Sequence, residues 1–121
     1  MQGFPAKTKE ELDIVLSEFT ARVKPLLGNS LEKIILFGSY ARGDYDSESD
    51  VDVMLLVKDD DAEIKKMDRT VIHATGDIDL EHSVLLSPII VNRDRYYRYV
   101  NDLPFYRSVQ QEGVVLYEQR P

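Results

Sequence analysis

Cysteine is absent from the chain, which excludes a disulfide framework, a thiolate zinc site and a cysteine nucleophile, so any metal must be held through oxygen or histidine. Long apolar runs are missing as well. Nothing approaches the roughly 18 consecutive apolar residues of a membrane span, and the stretch holding Lys7, Lys9, Glu10 and Glu11 lacks a signal-peptide hydrophobic region. The expected location is cytoplasmic, with no membrane partner. Positive charge is scarce: 15 Lys and Arg stand against 22 Asp and Glu, for a formal charge of −7. That balance disfavours nucleic acid as the main partner, because affinity for a phosphate backbone rests on Lys and Arg releasing counterions. A polyanionic ligand must then be met locally, by a metal or by a cluster of donors. Repeats, low-complexity tracts and linkers are also absent. With 121 residues, 43% of them hydrophobic and 31% charged, the expectation is one domain, residues 1–121, with a real core.

What is present reads as alternating helices and strands. Thr8 with Glu11 has the form of a capping box, and Leu12, Val15, Leu16, Phe19, Val23 and Leu26 recur at helical spacing. A helix over about 8–27 follows, with Pro25 in its last turn. Lys33 to Phe37 is a strand-like run stopped by Gly38. The next strand spans 50–57, with Val51, Val53, Leu55 and Val57 on one side and Asp50, Asp52, Met54 and Leu56 on the other. Asp60, in the charge run 59–61, caps a helix whose Ile64, Met67 and Val71 share a face and which Gly76 is expected to end. A third strand over 84–91 is interrupted by Pro88, which places the proline at an edge, bulge or bend. Asn92 caps a further helix, in which Tyr96, Val100 and Leu103 are expected to pack inward. A short helical piece over 105–112 then ends at Gly113, before the strand-like 114–117. The alternation predicts an α/β (α+β) domain with a largely buried sheet.

Two local patterns carry chemistry. Gly38-Ser39 follows a buried strand and opens a helical turn; glycine lets a phosphate approach the backbone, and exposed N–H groups with the serine hydroxyl can donate to it. Arg42, one turn on, adds a charge-assisted contact. A plain turn accounts for Gly-Ser equally well when it is taken alone. Asp50 and Asp52 project to one face of a strand, roughly 6–7 Å apart at Cα. Such a pair resists double ionisation unless a cation sits between, and Mg²⁺ commonly binds one or two carboxylates plus substrate phosphates. The plain alternative is a solvated strand end.

Taken together, Gly38-Ser39, ten residues, and Asp50-Val51-Asp52 resemble the signature of the DNA polymerase beta nucleotidyltransferase superfamily. The stretch Leu31 to Val57 is more closely similar to its small members, the minimal nucleotidyltransferases, and the likeness extends less specifically through the tail residues 103–107 and 112–115. The resemblance implies a mixed β-sheet flanked by helices, Mg²⁺ on Asp50 and Asp52, and a nucleoside triphosphate, typically ATP, over Gly38, Ser39 and Arg42. It also implies transfer of a nucleoside monophosphate to a hydroxyl. Some members of that family silence a partner HEPN-domain toxin by moving AMP onto a tyrosine. Active members supply a third carboxylate from the following strand. Here the matching position is expected at Ser83, with Glu81 the best substitute and Asp79 on the same face if the strand already runs from 79. A regulatory module that binds nucleotide or toxin without transfer, and a small-molecule adenylyltransferase, are the competing expectations. The latter usually carries an additional helical domain for its acceptor.

The segment 93–99 interleaves arginine and tyrosine, a composition able to stack bases, but helical packing with solvated arginines accounts for it more simply. His73 and His82 lack a partner at metal-ligand spacing and are read as structural.

Overall fold

The computed structural model describes residues 7–120. Helix α1 spans Lys9–Leu27 and opens on the expected capping box: the Thr8 hydroxyl accepts from the Glu11 N–H while the Glu11 carboxylate accepts from the Thr8 N–H. Pro25 is accommodated, since the helix continues to Leu27 before a 3₁₀ turn over Gly28–Ser30. Strand β1 follows at Leu31–Phe37, then the one-turn helix α2, Ser39–Arg42, and strand β2, Val51–Val57.

Helix α3 covers Asp61–His82, with the Asp60 carboxylate accepting from the Glu63 N–H. It does not stop at Gly76. Ile78 is fully buried and extends the stripe of Ile64, Val71 and Thr75, so the helix gains about 1.5–3 kcal/mol of apolar burial against the ~1 kcal/mol that an interior glycine costs. Ser83, left-handed at φ 51°, ends it instead. Residues 79–82 are therefore helical, and strand β3 begins at Leu86 and runs to Asn92. Helix α4 (Arg93–Tyr99) is capped by Asn92, helix α5 (Pro104–Glu112) starts with proline in its first turn, and strand β4 (Val114–Glu118) closes the described order.

The sheet has the order β3-β2-β1-β4, with β1 antiparallel to β2 and β4, and β2 parallel to β3. Pro88 lies on the edge strand β3, where its missing N–H breaks no ladder on the open side. One face of the sheet packs its Ile34, Leu36, Val51, Val53, Leu55 and Val57 against α1 and α3. The other packs Ile35, Met54, Leu56 and Val91 against Tyr96 of α4 and Val109 of α5. The expected mixed sheet flanked by helices is thus the fold, and the two sides of β2 divide as the period-two pattern requires. Leu103, expected inside, is 44% exposed because it caps α5 rather than continuing α4. Among the described residues, no helix is long and apolar enough to cross a membrane.

Candidate active site

The antiparallel register places Phe37, the last residue of β1, directly opposite Asp52, the second residue of β2. The chain then turns sharply at Gly38, whose φ of 77° and ψ of −158° suit glycine alone. A Cβ there would collide with the Asp52 carboxylate, whose Cγ lies 3.2 Å from that point. Asp52 therefore sits directly over the glycine that opens α2. The N–H groups of the first turn, on Ser39 and Tyr40, have no intrahelical acceptor.

The loop between α2 and β2 is held from both ends. Tyr40, buried, stacks on Tyr45 with ring centroids 4.1 Å apart and 12° between planes. The Asp46 carboxylate accepts from the Glu48 N–H at 2.8 Å, and the Ser49 hydroxyl accepts from the Asp46 N–H at 3.0 Å. That turn delivers Asp50 to the sheet, where the Val51 N–H donates to the Leu85 carbonyl at 2.8 Å. Asp50 is exposed and Asp52 half-buried.

The electrostatics are those of anions brought together with only partial compensation. Burial is the main cause of the upward shift of the Asp52 carboxyl, with Asp50 adding to it and Arg42 opposing. Asp79 is also pushed up, first by burial; the Leu86 N–H, which donates to its Oδ1 at 2.9 Å, opposes that, and Asp50 raises it further. The donor set, oxygens in a site short of positive charge, fits a hard divalent cation such as Mg²⁺. A folded-state pKa above the unfolded value of about 3.9 means the folded form holds its proton longer. The stability contribution of these groups is full below that value and is lost as pH rises through the raised one. Asp52→Asn is accordingly expected to stabilise the metal-free protein slightly at neutral pH, by less than about 1 kcal/mol after solvent screening, or at most a few °C in Tm. The gain should vanish below pH 4, and an unchanged or lower Tm across pH 4–8 would contradict the assigned repulsion.

Arg42 is exposed, and its guanidinium donates to Asp44 (3.2 Å) and to Glu112 at the end of α5 (3.5 Å). Glu81 does not join the carboxylates as a strand residue would. It lies in the last turn of α3, where its Oε2 is 3.6 Å from His82 and 4.0 Å from Arg22. His82 meets Glu18 of α1 at 2.5 Å, and Arg22 donates to Glu18 at 3.2 Å. These residues form a hydrogen-bonded clamp between α1 and α3, and the His82 hydrogen bond lowers the pKa of Glu18. Ser83 caps the helix, so the position expected for a third carboxylate is also moved. On β3 the residue opposite Asp52 is Ser87, and one pair earlier Val51 faces the buried Leu86. Of the two acidic candidates, Asp79 is the one that feels Asp50. The segment 93–99 packs as expected, with Tyr96 buried, Arg93 paired to Glu32 at 2.6 Å and Arg95 to Asp61 at 2.8 Å. Phe37 and Ser87 escaped sequence reasoning because only strand register brings them beside Asp52.

The family model of the nucleotidyltransferase domain matches residues 16–113. Two chains of Methanocaldococcus jannaschii, both named as protein adenylyltransferases, are similar. One is 36% identical over 96 residues, covering 79% of this chain and 95% of the relative. The other is 37% identical over 102 residues, covering 84% and 94%. A solved toxin–antitoxin structure with AMP-PNP is 18% identical with a TM-score of 0.49, over 84% of this chain and 74% of that one. The matched span contains the whole strand–turn–strand unit that sets Asp52 above Gly38, and the chain belongs to the nucleotidyltransferase domain family, a family of transferase enzymes.

Proposed function

We propose that this chain transfers AMP from ATP to a hydroxyl on a partner protein, with a tyrosine of a HEPN-type toxin as the acceptor and an antitoxin-like role as the consequence. The observation that carries the reading is the Asp52 carboxylate lying over the Gly38 turn, which brings a cation-binding group and a phosphate-accepting turn within one ligand's length. The relatives named as protein adenylyltransferases support a protein acceptor.

Asp50 and Asp52 would hold Mg²⁺, with Asp79 at the margin in place of Glu81. When bound, the cation neutralises charge on the phosphates and favours ionisation of the acceptor hydroxyl. The chain's own groups do the rest. The Ser39 and Tyr40 N–H groups and the Ser39 hydroxyl receive phosphate oxygens, and Gly38 keeps the approach free of a side chain. Arg42, by exchanging Asp44 and Glu112 for the ligand, adds a charge-assisted donor. The acceptor oxygen attacks the α-phosphorus, pyrophosphate departs, and the hydroxyl proton passes to solvent or a carboxylate. Positioning and fixed charge account for most of the acceleration.

Incubation with α-phosphate-labelled ATP, Mg²⁺ and candidate HEPN-domain proteins is expected to label the cognate partner covalently. Label absent from the partner, with MgATP binding intact by calorimetry, would make the chain a nucleotide-binding regulator instead. Ser87, rather than a carboxylate, opposite Asp52 is the feature that favours this second reading.

A further inference from the structure

The carboxylates have an aromatic neighbour that the transfer chemistry leaves unused. Phe37 and Asp52 face each other across β1 and β2, so their side chains rise from the same face of the sheet, with Cβ atoms about 4.5–5.5 Å apart. Phe105, in the first turn of α5, meets the Phe37 ring edge-on, with centroids 5.5 Å apart and planes at 78°. Phe37 is half-buried, whereas Phe105 is 47% exposed. Among the described phenylalanines it alone is exposed, and unlike the exposed Tyr97 and Tyr99 it has no hydroxyl to justify a wet position. Pro104 fixes the start of α5, and at the other end of that helix Glu112 receives Arg42, so α5 touches the strand end at Phe37 and the turn at Arg42.

We infer that Phe105, braced by Phe37, is the stacking surface for the nucleobase. The inference rests on the nucleotide reading of the Asp50/Asp52 site and adds the group that recognises the rest of the ligand. With the triphosphate held between the aspartates and the Ser39 turn, one ribose separates the α-phosphate from the base. The wall rising beside Asp52 is apolar and offers a π-face, which every base can use.

The test is calorimetry on the full chain with MgATP and with magnesium tripolyphosphate, for wild type, Phe105→Ala, Phe105→Leu and Phe105→Tyr. Phe105→Ala and Phe105→Leu should bind MgATP roughly tenfold or more weakly, Phe105→Tyr should bind it like wild type, and tripolyphosphate binding should not change. Leucine keeps apolar contact with Phe37, so its failure together with tyrosine's success isolates the ring. Wild-type affinity for MgATP in the alanine and leucine variants overturns the inference. So does an equal loss of tripolyphosphate, which would make Phe105 a support of the phosphate turn. Wild type binding neither ligand removes the nucleotide reading itself, and the stacking role with it; wild type binding MgATP alone leaves the leucine–tyrosine contrast to decide.

Discussion

Asp52→Asn is expected to reduce kcat/KM for nucleotidyl transfer by roughly 10³-fold, equivalent to about 4 kcal/mol of transition-state stabilisation. Asparagine matches the size of aspartate, so the core beneath, Val51, Val53 and Met54, is undisturbed. What is lost is one of the two charges that make the cleft attractive to a divalent cation. The same variant should be slightly more stable than wild type when no metal is present, because it removes a half-buried anion whose carboxyl is raised by burial and by Asp50. Activity and stability thus move in opposite directions, which separates this outcome from simple misfolding. Steady-state transfer beside thermal melts checks both; activity within tenfold of wild type would remove Asp52 from the site. In wild type, cation affinity should rise with pH through the raised pKa of Asp52, since the ion competes with the proton there.

Gly38→Ala is expected to damage both stability and binding, because backbone strain and a side-chain clash act together there. Its backbone, φ 77° and ψ −158°, lies where alanine is strained, and the added Cβ would run into the Asp52 carboxylate. Strain and overpacking together cost roughly 2–4 kcal/mol, or on the order of 10 °C in Tm, and the displaced carboxylate should abolish MgATP binding. Gly43 is the comparison: its φ of 88° is equally left-handed, but nothing lies within 4 Å of its missing Cβ. Gly43→Asn should therefore cost less than about 1 kcal/mol and leave binding intact, because asparagine tolerates that region. Equal effects at both glycines would show that backbone strain alone, rather than contact with Asp52, governs the turn.

Local signals reached far in this chain. The capping box at Thr8 and Glu11, the Asp60 and Asn92 caps and the alternation along 50–57 depend on neighbours within a few residues, so they could be read directly. The end of α3 could not. Gly76 is a good terminator by composition, yet Ile78 two residues later has a buried place on the sheet, and burial outweighed propensity. That one difference made residues 79–82 helical, sent Glu81 to the α1–α3 clamp with Glu18 and His82, and left Asp79 as the carboxylate that senses Asp50.

The order of residues by itself determined that a glycine-serine turn and a paired aspartate strand start exist, ten residues apart, because turn chemistry and strand periodicity are short-range properties. Their meeting was decided only in three dimensions. The antiparallel register of β1 on β2 sets Phe37 against Asp52, the parallel register of β3 sets Ser87 opposite Asp52, and α5 folding back over the sheet brings Phe105 onto Phe37. Register depends on which distant side chains fill the shared core, and a single sequence does not display that pairing.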